Sequence, residues 1–86
     1  MERHFKGLSN HHRLDILLLI EKDVGINVDE ISNTLDANFK TISQHTRYLV
    51  HAGLIQKNYR GRVVTHTLTP YGKMFTHFIK EFQKIK

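Results

Sequence analysis

The chain has 86 residues, enough for one small domain, and its 13 lysines and arginines against 8 aspartates and glutamates give a formal net charge of +5. A hydrophobic share of 40% argues against wholesale disorder, and the absence of cysteine excludes disulfides, thiolate metal sites and a cysteine nucleophile. The longest apolar run, Ile16–Ile20, is far shorter than the roughly 20 residues that span a bilayer, and no apolar signal region follows Met1. We therefore expect a cytoplasmic protein that binds no membrane and for which nucleic acid is a candidate partner.

The first predicted helix covers residues 9–22, opens at Ser9 or Asn10, and is apolar on both sides. One side carries Leu14, Leu17 and Leu18, and the other carries Ile16, Leu19 and Ile20. Because a chain this short buries only about 60–65% of its extended surface, it is modestly stable unless it pairs with another chain. We expect one side of this helix to meet the domain's own core, and the side with Ile16, Leu19 and Ile20 to meet a second subunit.

Two helices joined by a tight turn are predicted next. Asn27 and Glu30 have the spacing of a capping box at the start of a helix over residues 28–35. Asn38 caps a predicted helix over residues 39–52, and Gly53 is placed to end it in the left-handed conformation.

The pattern then changes to β-branched and aromatic residues. Residues 54–68 predict a hairpin with Arg60-Gly61 at its turn, and Thr69-Pro70 opens a last helix over residues 70–85. The predicted order is α-α-α-β-β-α over one domain, residues 1–86. This is an α+β fold, mainly α with a small β-hairpin, and the order is that of a winged helix-turn-helix.

The predicted helix over residues 39–52 has a polar front and an apolar back. Its front carries Lys40, Ser43, Gln44, Arg47 and His51 within an arc of about 100°. Its back carries Ile42 and Leu49 with Thr46 between them. A helix that enters the DNA major groove needs this division, because the back holds it in place while the front reads base edges.

Each polar side chain of this front suits a part of DNA. Gln44 can pair with adenine, Arg47 with guanine or a phosphate, and Lys40 and Thr41 near the helix start suit phosphates. The alternative is an ordinary solvated helix face, which most polar stripes are.

The predicted hairpin tip is rich in cations. Lys57, Arg60 and Arg62 lie in or beside the turn together with Tyr59, and we expect them to contact DNA phosphates or the minor groove. The alternative is that these cations protect an exposed edge strand from pairing with other chains.

The last predicted helix carries an apolar stripe with heptad spacing. Positions 71, 75, 78, 82 and 85 step by 4, 3, 4 and 3 residues. Together with the residue at position 74, the stripe comprises Tyr71, Met74, Phe75, Phe78, Phe82 and Ile85. The stripe either covers the domain's own core or pairs with the same helix of a second chain. We expect the second, because three phenylalanines exceed what a solvent-facing terminal helix needs.

Three segments resemble known winged-helix regulators. Residues 8–17 resemble the "L-(A/S)-x-x-x-R-L-x-I-L" opening of ArsR-type repressors, and residues 41–55 resemble their "T-V-S-x-H-L-x-x-L-x-x-A-G-L-V" recognition segment. Residues 68–73 are similar to the "L-T-x-x-G" that follows the wing in MarR- and PadR-type relatives. The resemblance implies a prokaryotic, homodimeric regulator whose wing tip, Arg60 to Arg62, lies near the DNA backbone or the minor groove. It also implies that double-stranded DNA faces Lys40, Thr41, Ser43, Gln44 and Arg47.

The chain departs from this family at two points. Thr46 stands where the family usually has Leu, and the cysteine pair of the arsenic and cadmium sensors is absent. The histidines are scattered, with only His77 and Glu81 spaced as neighbours on the last helix, so we expect surface histidines, no metal site and no cofactor; the effector is unknown. His45 is expected to be a packed, hydrogen-bonded residue.

The leading hypothesis is a sequence-specific transcriptional regulator that binds a pseudo-palindromic operator as a homodimer. The alternative is a winged-helix module that docks onto proteins within a larger assembly. The sequence has no Gly-rich phosphate loop, nucleophile motif or paired carboxylates, so it does not predict an enzyme.

Overall fold

A computed structural model describes the backbone of residues 2–84 and the side chains of residues 12–82 and 84. The elements, in chain order, are α1 (Glu2–Lys22), α2 (Val28–Leu35), α3 (Phe39–His51), β1 (Ile55–Arg60), β2 (Val63–Leu68) and α4 (Pro70–Lys84). This confirms the predicted winged-helix order, in which three helices are followed by a two-stranded antiparallel hairpin and a fourth helix.

The start of the first helix and the position of the hairpin turn differ most from the prediction, whereas the end of α3 and the start of β1 differ by one residue each. Helix α1 begins at Glu2 and not at Ser9 or Asn10, because residues 2–8 contain helix-forming Glu, Arg and Lys and no proline, so nothing forces a start at a cap. The hairpin turn is Gly61-Arg62 and not Arg60-Gly61, and Gly61 takes the left-handed conformation with φ of 61°.

Asparagine side chains start both helices of the helix-turn-helix. Asn27 Oδ1 accepts a hydrogen bond from the Glu30 amide at 2.8 Å, and Glu30 Oε1 accepts one from the Asn27 amide at 3.0 Å, which confirms the capping box. Asn38 Oδ1 accepts bonds from the amides of Lys40 and Thr41, at 2.8 and 3.3 Å. These local bonds fix where α3 starts.

Helix α1 passes through the centre of the domain and contacts α2, α3, β2 and α4. The core that surrounds it is formed by Ile16, Leu17, Ile20, Ile26, Ile31, Ile42, Leu49, Leu54, Ile55 and Leu68. Ile16 and Ile20 are 0% and 1% exposed within this single chain. The prediction that they meet a second subunit is therefore wrong, because the chain's own elements cover both sides of α1. Leu19 is partly buried against the same core.

Helix α4 packs on the domain through a face that carries two small residues and an isoleucine. Gly72, Thr76 and Ile79 are buried, and a Cβ atom at Gly72 would overlap the carbonyl oxygen of Leu54. The Thr69 hydroxyl donates to the Gly53 carbonyl at 2.6 Å and accepts from the Gly72 amide at 2.9 Å, so it both caps α4 and ties it to the end of α3.

A polar contact joins α4 to the end of α1. Lys80 Nζ lies 2.6 Å from Glu21 Oε1, and the Thr76 hydroxyl donates to Glu21 Oε2 at 3.0 Å. The hydrogen bond from Lys80 is the main cause of a lowered pKa at Glu21. The contact holds the inward face of α4 in one register on α1.

Candidate nucleic-acid interface

The outer face of α3 presents the polar residues that the sequence singles out. Lys40, Thr41, Gln44 and Arg47 are exposed and Ser43 is half-buried, whereas Ile42, Thr46 and Leu49 are buried on the opposite side. The buried Thr46 hydroxyl donates to the Ser43 carbonyl at 2.9 Å, so a threonine satisfies its polar group at a position where the resembling family has leucine.

A groove of about 190 Å³ separates α3 from the hairpin, and two cations border it. Arg47 and Ser43 lie on its α3 side and Lys57 on its β1 side. The structure therefore brings a cation of the helix and a cation of the wing to the same surface, where both can approach one nucleic-acid backbone.

The other two wing cations lie apart from this groove. Alternate residues of a strand face opposite sides of the sheet, so Arg60 faces away from Lys57 and borders a groove beside Val24 and Gly25. Arg62, in the turn, borders a third groove with Phe39 at the start of α3. The predicted wing residues are thus distributed over two faces of the hairpin.

His66 attaches the hairpin to the loop between α1 and α2. Its amide donates to the Ile26 carbonyl at 3.0 Å, its carbonyl accepts from the Gly25 amide at 3.1 Å, and its ring Nδ1 lies 3.3 Å from the Ile26 oxygen. Its side chain is only 1% exposed, so the prediction of a surface histidine is wrong here. The position faces inward because Ile26 adds a bridge to the free edge of β2.

Burial lowers the pKa of His66, and the charge of Lys57 across the hairpin acts in the same direction, while the bond to the Ile26 carbonyl opposes them. The neutral ring therefore dominates at neutral pH. The wing keeps its position next to α3 without placing a third charge in the groove.

Two ring contacts that no local sequence pattern predicts join α1 to α3. The Arg13 guanidinium lies 4.0 Å from the centre of the Tyr48 ring, and the rings of His12 and His45 meet edge to face at 6.1 Å. Burial, followed by the charges of Arg13 and His12, lowers the pKa of the half-buried His45. Arg13 belongs to the motif quoted for residues 8–17, but nothing in the local pattern shows its distant partner.

The apolar stripe of α4 points away from the domain. Tyr71, Met74, Phe78 and Phe82 are between 57% and 71% exposed, and the rings of Phe78 and Phe82 stack at 6.2 Å. Phe75 differs, because it is partly buried against the core. Ile85, which the sequence also assigns to the stripe, lies outside the described residues.

The described part of the chain holds neither a membrane-spanning helix nor a metal-binding cluster. Residues 2–84 contain no helix that is both long and apolar enough to cross a membrane. Among the side chains of residues 12–82 and 84, no three His, Asp or Glu are placed to bind one metal ion.

Comparison with known proteins gives one family and many solved structures. The sequence model of the family described as "RuvB C-terminal winged helix domain" matches residues 5–71. No curated protein gives a significant match to the sequence.

Three of the similar structures illustrate how closely the fold matches, by TM-score, sequence identity and the share of each chain covered. Streptococcus pneumoniae FabT in complex with DNA has a TM-score of 0.78 and 22% identity, over 85% of this chain and 53% of that chain. A MarR family transcription regulator has a TM-score of 0.81 and 21% identity, over 86% of this chain and 51% of that chain. Reduced HlyU from Vibrio cholerae has a TM-score of 0.73 and 25% identity, over 91% of this chain and 82% of that chain.

The chain spans about half the length of the first two of these structures, and at these identities they support the winged-helix fold. The family match covers well over half of the chain. The element order and the three-dimensional likeness give the winged-helix fold, and by its sequence the chain belongs to the family of RuvB C-terminal winged helix domains.

Proposed function

We propose that this chain is a sequence-specific DNA-binding transcriptional regulator that acts as a homodimer on a pseudo-palindromic operator. In this proposal α3 enters the major groove and residues 57–62 of the wing contact the backbone or the minor groove. The observation that carries the proposal is the groove between α3 and the wing, which Arg47 and Lys57 border from its two sides.

The placement of the other polar residues agrees with this proposal. Gln44 and Lys40 are exposed on the same face of α3 as Arg47, and the exposed side chain of Thr41 near the helix start can reach a phosphate. Among the similar structures, FabT is in complex with DNA and another is a transcription regulator, which supports the same role for this fold. The ArsR-like segments support placing the chain among repressors of that type.

The homodimer rests on α4. Its exposed aromatic stripe is larger than the scattered apolar side chains of ordinary surfaces, and a second copy would cover it. Two reading helices would then lie about 34 Å apart, one turn of the duplex. The same stripe also fits the alternative function, a module that docks onto another protein in a larger assembly.

Selection of bound sequences from a pool of random duplexes tests the proposal. We expect a two-fold symmetric consensus with half-sites centred about one helical turn apart. Gln44→Ala and Arg47→Ala should each weaken binding to the selected duplex about tenfold to hundredfold, as removal of a bidentate base contact does. Lys22→Ala, which removes an exposed cation at the end of α1, is the matched control and should leave the affinity unchanged.

The wing is tested separately by salt. Affinity should fall steeply with salt concentration, and Lys57→Ala should reduce the slope of log affinity against log salt by about one. Failure to select any preferred duplex would contradict the proposal. Binding to a protein partner that survives the Gln44→Ala, Arg47→Ala double substitution would favour the docking module.

A further inference from the structure

Phe39 is an exposed aromatic residue at the first position of α3. Its side chain is 52% exposed, although α3 is otherwise held by the buried Ile42 and Leu49. The packing that usually fixes the entry to a helix joins the residue before the cap to the fourth helical residue, here Ala37 and Ile42, and both contact the core. Neither the core nor the helix start therefore requires an aromatic side chain at position 39.

Phe39 borders a groove of about 320 Å³ between the start of α3, the start of α2 and the hairpin turn. The groove is mostly apolar, with Val28, Val63 and Val64 as its other apolar side chains. One cation, Arg62, and one carboxylate, Asp29, also line it. The opposite charges of these two residues offset each other, so the groove is not built to hold a phosphate, unlike the one between Arg47 and Lys57.

Phe39 also lies next to the residues proposed to read DNA. It precedes Lys40 in the chain and is one helical turn from Ser43, so it lies on the wing side of the reading face. In helix-turn-helix proteins the first residues of the reading helix reach the base edges. The apolar group that a base pair presents in the major groove is the C5-methyl of thymine.

We propose that Phe39 contacts the C5-methyl group of a thymine in each half-site and so determines specificity at that base pair. This inference rests on the proposed function, since it requires α3 to lie in the major groove. It adds an apolar contact to a reading face that is otherwise polar.

Replacement of thymine by uracil removes only this methyl group and leaves base pairing unchanged. In the duplex selected by the protein, each thymine of a half-site is replaced in turn, and the dissociation constant is measured by fluorescence anisotropy at constant salt. We expect one position at which uracil weakens wild-type binding about fourfold, and about fifteenfold when both half-sites carry it, from the transfer of one methyl-sized group to an apolar contact.

Phe39→Ala should bind the thymine and uracil duplexes equally, because the contact is already lost. Phe39→Leu should keep part of the difference. Val24→Ala is the matched control: it truncates another exposed apolar residue, 74% exposed, in the loop between α1 and α2, and should retain the full fourfold effect.

Four outcomes would contradict the proposed contact between Phe39 and the thymine methyl group. Tight wild-type binding that is insensitive to uracil at every position overturns the methyl contact and leaves the proposed function intact, as does a selected half-site without thymine. A uracil effect of equal size in Phe39→Ala assigns the methyl to another residue and also overturns it. Absence of any preferred duplex overturns both proposals. The thymine and uracil comparison on the wild-type protein needs no substitution, so it does not depend on the folding of a variant.

Discussion

His66 is the residue whose environment departs most from what its position in the chain indicates. It lies in the middle of a strand among polar and β-branched neighbours, yet its ring is enclosed and shares the Ile26 carbonyl with its own backbone amide. Burial of the neutral ring costs little free energy, whereas burial of the protonated ring is strongly disfavoured. Protonation of His66 in acid should therefore weaken the attachment of the wing to the loop between α1 and α2.

The sign of the pH effect follows from the direction of the pKa shift. Burial lowers the pKa of His66 below the ordinary value of 6.5, so below that pH the unfolded chain binds a proton that the folded chain does not. Folding stability is then fully present above about pH 6.5 and declines as the pH falls toward the lowered pKa, by at most about 1.4 kcal/mol per pH unit for one proton. The pKa of His45 is lowered too and adds to the decline, whereas that of Glu21, lowered from 4.5, acts only in stronger acid.

We predict that His66→Gln makes the free energy of unfolding less dependent on pH between about pH 7.5 and about pH 5.5. The variant should also be less stable at neutral pH by roughly 1–2 kcal/mol, the cost of a disturbed buried hydrogen bond. Urea unfolding at the two pH values measures both effects. His51→Gln, at an exposed position of α3, should retain the wild-type dependence. Equal pH dependence in His66→Gln and the wild type would show that the ring does not titrate differently on folding.

At the scale of elements, the attachment of α4 depends on a short segment after the wing. The Thr69 hydroxyl caps the helix and bonds to the end of α3, and Gly72 brings the α4 backbone against the Leu54 carbonyl. These are the two residues that define the "L-T-x-x-G" pattern at residues 68–72. The pattern therefore has a structural reason, a cap and a close backbone contact three residues later.

We predict that Gly72→Ala destabilises the protein by about 3 kcal/mol, the upper range for forcing an extra carbon into a packed site. Alanine favours helix over glycine by about 1 kcal/mol, which does not offset the overlap with the Leu54 backbone. Chemical denaturation at fixed protein concentration measures the change. Lys73→Ala, at the exposed neighbouring position, should change stability by less than about 0.5 kcal/mol. A Gly72→Ala protein as stable as the wild type would mean that α4 is not seated in this way.

The sequence predicts those parts of the fold that depend on neighbouring residues. Asn27, Asn38 and Gly53 mark element ends because caps and left-handed residues act within one turn of the chain. The buried face of α4 is less predictable. One side of the helix carries aromatic residues and another carries Gly72 and Thr76, and the sequence pattern allows either side to pack on the domain. Only the proximity of α1 and Leu54 decides that the small residues face inward.

The candidate site likewise has features that neighbouring residues determine and features that distant contacts determine. Exposure of Lys40, Gln44 and Arg47 is predictable because Ile42 and Leu49 fix the back of α3. That Lys57 and Arg60 face opposite sides of the hairpin follows from the alternation of the strand. Which of the two sides faces α3 depends on distant contacts, among them the bridge of Ile26 to His66, the cross-strand partner of Lys57.

At the scale of the whole molecule, the domain buries Ile16 and Ile20 of α1 in its own core and yet leaves a large apolar surface exposed on α4. The seam of the proposed homodimer therefore rests on α4. Its exposed residues, Tyr71, Met74, Phe78 and Phe82, follow one side of a helix at spacings that a second antiparallel or parallel copy can match. The two DNA-reading surfaces would then be joined through α4 and its bond to Glu21 on α1.

We predict that Phe78→Asp converts the proposed homodimer to a folded monomer. The side chain is 62% exposed in the single chain, so a charge there does not disturb the core, but in a dimer it would be buried without a partner. Loss of a central aromatic contact should weaken dimerisation at least about thirtyfold, as at other interface hot spots. Sedimentation equilibrium over a dilution series measures this, and Val24→Asp, an equally exposed apolar position outside the stripe, should stay dimeric. Because a monomer engages one half-site at a time, Phe78→Asp should also lose most of its affinity for the two-fold selected duplex while it keeps weak binding to a single half-site. A wild-type protein that is monomeric throughout the series, or a Phe78→Asp variant as dimeric as Val24→Asp, would show that α4 does not form the seam.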